Sequence, residues 1–257
     1  MSTPALLFTL LLLAFLFWMA WYWFVRHRQI RPLSAEQRAL LEEKVRFYRQ
    51  LSEKEKERFE QSIAQFLEDV AITGVETEVT AADRLLVAAS AVIPLFGFPG
   101  WRYRNLNEVL LYPDKFDEDY QVQAARRNII GMVGSGAMNR MMILSQPALR
   151  DSFAHPKQRQ NVGIHEFIHL LDKADGTTDG IPEMLIPHEY TAPWLRMMQH
   201  EIEEIKDRDS DINPYGATNE AEFLSVAAEY FFSQPEKFGH KHPELYEMLS
   251  RIFRQAP

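Results

Sequence analysis

The sequence predicts an α+β domain, with helices around a small mixed sheet, preceded by one N-terminal transmembrane helix. Several segments carry apolar residues at the spacing of an amphipathic helix, whereas the apolar runs with strand character are few and short. A long uncharged stretch stands apart near the N-terminus. The 257 residues, of which 46% are apolar, suffice for one substantial core and a small appendage. We therefore expect an anchor with its basic flank at residues 1–32 and one folded domain at residues 33–257.

The charge balance and the absence of cysteine limit the possible functions. Asp and Glu number 36 against 28 Lys and Arg, for a net charge of −8. Such a surface repels nucleic acid, and no long basic run offsets it, so direct nucleic-acid binding is not expected. The chain has no cysteine, which excludes disulfides, cysteine-ligated zinc and thiol catalysis. A metal site in this chain must therefore use histidines and carboxylates.

Residues 5–25 form the predicted anchor, a stretch of 21 residues without a charged side chain. About 20 apolar residues span a bilayer as a helix, and aromatic residues favour its interface. A cleaved signal peptide would instead need a basic start, a shorter apolar stretch and a small-residue cleavage site, which are absent here. The aromatic residues crowd the C-terminal end of the stretch: Trp18, Trp21, Tyr22 and Trp23.

The charges that flank this stretch predict its orientation. No basic residue precedes the stretch, and four follow it: Arg26, His27, Arg28 and Arg31. Loops rich in Lys and Arg stay on the cytoplasmic side. We therefore expect a single-pass protein of the inner (cytoplasmic) membrane, with its large domain in the cytoplasm.

Helix-start signals organise the first part of the domain. Ser34 with Gln37, and Ser52 with Glu55, have the spacing of capping boxes, and each opens an amphipathic run. A third helix is predicted to begin at Thr80 and to stop at Pro94. The first run carries Leu40, Leu41, Val45 and Tyr48 at helical spacing.

Two strand signals and four further helices complete the predicted domain. Residues 109–112 indicate a strand, and residues 128–133 with 140–144 indicate a hairpin around a glycine-containing turn. Residues 175–187 contain Gly and Pro and are predicted to be a loop. The further helices are predicted at about 158–173, at 192–206, at 219–232 and at Pro243–Phe253.

The sequence His165-Glu166-Phe167-Ile168-His169 is the central chemical signal. Residues four apart on a helix share one face, so both imidazoles can bind one metal ion. Glu166 is placed to take a proton from a metal-activated water and to give it to the leaving amine of a cleaved peptide bond.

The surroundings of this motif favour a metal over a chance match. The alternative is an ordinary helix that happens to carry two histidines and a glutamate. This helix is predicted to be buried, where such groups are costly unless something satisfies them. We therefore expect one bound Zn²⁺. The apolar neighbours are Val162, Ile164, Phe167, Ile168, Leu170 and Leu171.

A catalytic zinc ion needs a third protein ligand and one open position. Glu222 and Glu229 are seven apart on one predicted helix, and the residues alone leave either of them open as the ligand. Asp172 fits better as a group that orients a ligand or ends its helix. A structural zinc site would need a fourth ligand, and none stands out. The downstream candidates are Asp172, Asp175, Asp179, His188, Glu220, Glu222 and Glu229.

Several segments together resemble the Mlc titration factor A family of zinc peptidases, whose active site is related to that of anthrax lethal factor. The resemblance covers roughly residue 33 to the C-terminus and implies a zincin-like metallopeptidase fold of the gluzincin type. It also implies that Glu222 is the third zinc ligand and that Glu229 supports the site. The segments are HEFIHLLD, YGATNEAEF, AAEYFFSQPE, FYRQLSEKEKERFE, NEVLLYPDKF and MMILSQPAL.

The resemblance implies two further features of the site. Tyr215 should face the metal, where its phenol can donate a hydrogen bond to an oxyanion; the alternative is a tyrosine that packs its loop. Residues 141–144 should lie beside the active helix as an edge strand that pairs with an extended substrate. The other histidines show no ligand spacing and are predicted to lie on the surface: His27, His155, His200, His240 and His242.

The expected function is zinc-dependent hydrolysis of peptide bonds in a peptide or protein substrate, with an aminopeptidase-like activity implied by the family. The alternative is a zinc-containing protein that sequesters a transcriptional repressor such as Mlc, with incidental catalysis. The better-known family members are soluble, so the predicted span is a departure from them. A Glu166→Gln change should abolish the first function and spare the second.

Overall fold

The computed structural model describes residues 12–19, 30–116, 129–134, 136–155 and 160–257. The chain divides into two compact units, Met1–Arg31 and Pro32–Pro257. In the first unit residues 12–19 are helical, and the rest of the predicted span lies outside the described residues. No helix within the described ranges is long and apolar enough to cross a membrane. The transmembrane helix therefore stays a prediction.

The second unit begins with three helices, α1 (Ala35–Lys44), α2 (Arg46–Gln50) and α3 (Glu53–Asp69). Both predicted capping boxes form, at the start of α1 and at the start of α3. The apolar run predicted as one helix is divided at Val45, which is extended (φ −107°, ψ 101°). Leu41 before the break, Val45 at the break and Tyr48 after it are all buried.

Helix α4 (Ala81–Leu95) lies at the centre of the unit and is buried over most of its length. Thr80 caps it, and Asp83 completes a third capping box. The helix continues one residue past Pro94, where the prediction ended it. A proline in a last turn removes only a single backbone hydrogen bond, so the turn survives.

The sheet has the strand order β1 (Ala71–Gly74), β2 (Glu108–Tyr112), β4 (Met141–Ser145) and β3 (Gly131–Val133). Strands β1, β2 and β4 run parallel to one another, and β3 runs antiparallel to β4. The predicted strand and hairpin are thus confirmed, although β3 is shorter than the predicted 128–133 and β4 begins one residue later than predicted. Residue 128 lies outside the described ranges. The predicted edge role of residues 141–144 is wrong, because β3 covers β4 and itself forms the edge.

The main core lies on one face of the sheet. Val109, Leu111, Met142 and Leu144 alternate along the two central strands and pack into the large cluster that the helices fill. The opposite face carries a smaller cluster that includes Ile143. Helices around a small mixed sheet, as predicted, therefore form one α+β domain.

In the described part of the chain, six α-helices follow the sheet. Three predicted helices are present with shifted ends, because Asn161 caps α6 later than expected and α7 begins before Pro193. The helices α5 and α9 were not predicted, since each follows its neighbouring element almost without a loop. The six are α5 (Gln146–Ala154), α6 (Val162–Asp172), α7 (His188–Lys206), α8 (Glu220–Ser233), α9 (Pro235–Lys241) and α10 (Pro243–Phe253).

Candidate metal centre

Helix α6 carries the histidine motif and is fixed at its first turn. Asn161 caps the helix by accepting the Ile164 N–H, at 3.0 Å. Gly163 lets α6 approach α4 closely, because a Cβ atom there would lie 2.1 Å from Ser90 Oγ. The motif therefore stands on a helix that is locked against the buried centre of the unit.

Three possible metal ligands converge at this helix. The Nε2 atoms of His165 and His169 lie 3.1 Å apart. Glu222 Oε2 is 3.1 Å from the first nitrogen and 3.3 Å from the second. Ligand atoms about 2.0–2.1 Å from a tetrahedral zinc ion are separated by about 3.3–3.4 Å. The triangle therefore has the size of three ligand positions around such an ion, with the fourth left open.

The protonation of His165 supports a cation at this place. Its Nδ1 lies 2.6 Å from Glu229 Oε1, and Glu229 Oε2 accepts the Asn161 N–H at 2.6 Å. With the Nδ1 proton donated to Glu229, the Nε2 atom presents a lone pair to Glu222. The lone pairs of His165 Nε2 and Glu222 Oε2, whose atoms are 3.1 Å apart, repel each other unless a proton or a cation lies between them. One small cation would satisfy all three ligand atoms, so this donor set fits a zinc ion.

The charges of the site draw positive charge to the same point. Burial alone would raise the pKa of Glu222, but hydrogen bonds with His165 and His169 outweigh it and hold that pKa well below its usual range. Burial alone would lower the pKa of His165, yet Glu229 and Glu222 raise it well above its usual value. The two glutamates and two histidines thus favour positive charge at this point of the site.

Glu222 lies in the first turn of α8, where its side chain could either complete a capping box with Asn219 or contact the two histidines. Asn219 caps this helix by accepting the Glu222 N–H, at 2.9 Å. The Glu222 side chain turns to the histidines and leaves the reciprocal half of the capping box unformed. The backbone of Glu222 therefore serves the helix, and its carboxylate serves the site.

Glu166 is buried beside the edge strand β3. Only 6% of its surface is exposed, and its carboxylate has no hydrogen-bond partner among the described residues. A Cβ atom on Gly131 would stand 2.6 Å from Glu166 Oε1, so any larger residue there would displace the Glu166 side chain. Burial raises the pKa of Glu166, and His165 and His169 offset this only in part. A carboxylate with a raised pKa is suited to accept a proton near neutral pH.

Tyr215 stands at the mouth of the site, on the 3-10 turn Pro214–Ala217. Its ring centroid is 6.1 Å from that of His165, and 52% of the residue is exposed. Burial and the charge of Glu222 raise its pKa to about 12. The phenol therefore keeps its proton and acts as a hydrogen-bond donor, in this structure toward Glu222.

These side chains share one cavity of about 260 Å³. It is lined by all three residues of β3, by His165, His169 and Glu222, by Glu166 and Tyr215, and by Lys173 and Thr178. The cavity thus joins the ligand triangle, a buried carboxylate, a phenol and the strand β3, which is the edge of the sheet in the described residues. Such a combination is typical of a hydrolytic site.

Comparison with known proteins agrees with this chemistry. Residues 21–254 match the profile of the glucose-regulated metallopeptidase M90 family. The chain belongs to this family. It is 28% identical to Mlc titration factor A of Serratia proteamaculans over 92% of this chain and 93% of that protein. It is also 28% identical to the uncharacterized protein slr2042 of Synechocystis, over 93% of this chain and 90% of that protein.

In this M90 metallopeptidase the other predicted ligand candidates stay away from the triangle. Asp172 accepts the Gly180 N–H at 2.9 Å, and Trp194 Nε1 donates to the Gly180 carbonyl at 2.7 Å. Gly180 adopts a positive φ of 76°, which favours glycine. Asp172 thus ties the predicted loop at 175–187 to the end of α6. His188 and Glu220 are exposed.

The M90 site also contains residues that the sequence patterns did not indicate. Gly131 was missed because nothing local shows that its strand forms the edge beside Glu166. Lys173 follows His169 by four residues, and this spacing alone would have placed it on the same helix face. The surface assignment of His242 is wrong, since its side chain is only 11% exposed and Nε2 lies 2.9 Å from Asp211 Oδ1.

Proposed function

We propose that this M90 metallopeptidase hydrolyses peptide bonds in peptides or proteins with one zinc ion held by His165, His169 and Glu222. The observation that carries the proposal is the ligand triangle, with sides of 3.1–3.3 Å, next to the buried carboxylate of Glu166. A purely structural metal site would not need Glu166, a buried carboxylate in the same cavity that has no hydrogen-bond partner among the described residues.

Glu166 is the general base of the proposed reaction. Zinc, when bound, supplies the Lewis acid that polarises the carbonyl and activates the nucleophile. Glu166 takes the proton of the attacking water and then gives it to the amine nitrogen as the peptide bond breaks. Its raised pKa makes both transfers feasible near neutral pH.

Tyr215 is the proposed donor to the oxyanion that develops on the carbonyl oxygen. The phenol lines the cavity beside His165 and keeps its proton because its pKa is raised. A donor that is already in place stabilises the charge as it forms.

The substrate would pair with β3 and not with β4. The Ile130 carbonyl and the Gly134 N–H bond to the β4 side. The N–H and C=O groups of successive residues in a strand point to opposite sides, so those of Gly131 and Val133 point away from β4. Because both residues line the cavity, an extended peptide paired with them would lie across the ligand triangle.

The test is hydrolysis of a mixed peptide library by the full chain, with zinc, with a chelator and as Glu166→Gln. Zinc-dependent cleavage that the Glu166→Gln variant loses supports the proposal. Glu189→Gln, an exposed change of the same type, is the matched control and should cleave normally. Absence of cleavage by a chain that binds one zinc ion would refute the proposal.

A second candidate function is sequestration of a transcriptional repressor. Relatives from Serratia and Pectobacterium carry the name Mlc titration factor A and align with 92% of this chain. Binding of a purified Mlc-type repressor to the wild-type chain and to Glu166→Gln, measured by calorimetry, separates the two functions. Equal binding by both proteins supports sequestration, and its absence refutes it.

We also propose that residues 5–25 anchor the chain in the cytoplasmic membrane, with the M90 domain in the cytoplasm. The support comes from the 21 uncharged residues and from the basic residues that follow them.

A further inference from the structure

Lys173 lines the cavity and has no role in the reaction outlined above. It follows His165 by eight residues and His169 by four, so all three side chains leave the same face of the helical turn. The Lys173 Nζ donates a hydrogen bond to the carbonyl of Gly134, at 2.9 Å. Gly134 directly follows β3, so the ammonium group stands close to the end of that strand.

Among the described residues, no carboxylate forms a salt bridge with Lys173. An ammonium group has three donors, and the bond to Gly134 uses one of them. Across the described part of the chain, Lys173 makes no salt bridge, whereas Lys56 and Lys206 each pair with a glutamate. Of the described residues that line the cavity, Lys173 is the only lysine or arginine.

The acidic residues that follow Lys173 face their own loop. Asp175 Oδ1 accepts the N–H of Thr177 at 3.0 Å, and Asp179 Oδ1 accepts the N–H of Ile181 at 3.0 Å. Neither aspartate lines the cavity. The two N–H donors that remain on Lys173 therefore suit an anionic group that enters the cavity from outside.

We propose that Lys173 binds a substrate carboxylate close to the scissile bond and so makes the enzyme selective for such substrates. The carboxylate belongs either to an acidic side chain or to the C-terminus of a short peptide. The bond to the Gly134 carbonyl holds the ammonium group near the end of β3, in the same cavity as Gly131 and Val133, with which a substrate peptide would pair. This inference rests on the proposed peptidase function.

The test uses a set of alanine-based peptides with both ends blocked. Each peptide carries Glu at one position, and a matched set carries Gln there. A further pair without Glu differs only in a free or an amidated C-terminus. We expect kcat/KM to favour the carboxylate about tenfold or more, at one Glu position or in the free C-terminus.

The variants decide whether Lys173 causes this preference. Lys173→Met should abolish it while the rates on Gln or amidated peptides stay close to those of the wild type. Lys173→Arg should retain it, and Lys206→Met, an exposed control, should change nothing. An equal loss on all peptides in Lys173→Met would show that Lys173 only holds Gly134 and would overturn the inference. A wild-type enzyme without preference would overturn it as well.

Binding separates this inference from the proposed catalysis. Calorimetry on Glu166→Gln measures the affinity for the same peptides without turnover. Tighter binding of carboxylate peptides that is lost on adding Lys173→Met supports the role of Lys173, even if the wild type cleaves nothing. Equal affinities for both sets would overturn the inference while peptidase activity stands.

Discussion

Glu229 shows how one residue outside the ligand triangle can determine the chemistry inside it. One carboxylate oxygen lies 2.6 Å from His165 Nδ1, and the other accepts the backbone N–H of Asn161, also at 2.6 Å. These contacts fix both the ring orientation and the tautomer of His165. Histidine ligands in metal sites commonly depend on such a carboxylate.

We predict that Glu229→Gln lowers the zinc affinity roughly 10- to 100-fold, because the amide is a weaker partner for the Nδ1 proton. Glu222→Ala should abolish zinc binding, since it removes a ligand. Competition with a chelator of known affinity measures both effects, and Glu220→Gln serves as an exposed control on the same helix. Loss of zinc in the Glu229 variant together with tight binding in Glu222→Ala would reverse the ligand assignment.

Gly131 limits the position of Glu166, the proposed base, from the opposite wall of the cavity. A Cβ atom there would stand 2.6 Å from both Cγ and Oε1 of Glu166. We predict that Gly131→Ala displaces this carboxylate and lowers kcat roughly 100-fold, with zinc binding retained. Steady-state kinetics and metal content together check this. The control Gly239→Ala, whose added Cβ would meet only the Tyr246 ring at 3.3 Å, should keep its activity. Unchanged kcat in Gly131→Ala would contradict the packing.

At the scale of elements, the helices and helix caps that depend on neighbouring residues could be predicted from the sequence. The capping boxes at Ser34 and Ser52 and the helix from Pro243 form as expected, because each depends on neighbouring residues. Spacing within α6 likewise brings His165 and His169 together. The choice between Glu222 and Glu229 could not follow from spacing, since both lie on one face of α8 and only the packing of α6 against α8 distinguishes them.

The order of the strands in the sheet is the main feature that the sequence did not predict correctly. The strand β4 was expected at the edge, but β3 pairs with its outer side and takes that place. Which strand ends a sheet depends on contacts between distant residues, and the local pattern contains no information on these. The strand β1 was missed because four residues, including Gly74, are too few to show alternation.

Asp83 joins two elements and gives a prediction at this scale. It is buried, accepts two hydrogen bonds from Arg150 at 2.7 and 2.8 Å, and caps α4 with Thr80. Burial alone would raise the pKa of Asp83, but Arg150 and Thr80 outweigh it and lower that pKa. A lowered folded-state pKa means that this stabilisation is present above the ordinary value, near 4, and is lost as the pH falls through the folded value.

We therefore predict that Asp83→Asn lowers the free energy of unfolding by about 1–3 kcal/mol at pH 7. The difference from the wild type should shrink below about pH 4, because protonation removes the same charge from the wild-type protein. Urea unfolding at both pH values measures this, with the exposed Asp209→Asn as control. An equal loss at neutral and acidic pH would show that the charge of Asp83 is not what stabilises the contact.

The whole molecule combines a cavity suited to peptides with an unusual N-terminal stretch. The family match begins at residue 21, inside the predicted span at 5–25, so most of that span precedes the part shared with the family. An anchored M90 domain would meet substrates close to the membrane, whereas a soluble one would meet any peptide in the cytoplasm. The proposed anchor would therefore restrict the substrates in addition to the cavity.

The absence of cysteine makes this position testable without background, because every thiol introduced is a unique label. We predict that the chain resists extraction by alkaline carbonate, since about 20 apolar residues hold a helix in the bilayer. In intact cells an impermeant thiol reagent should label Ser2→Cys, whereas Lys206→Cys on the exposed side of α7 should react only after lysis. Labelling of Lys206→Cys alone in intact cells would reverse the orientation. Release of the chain by carbonate would refute the predicted membrane span. The substrate selectivity would then have to come from the cavity.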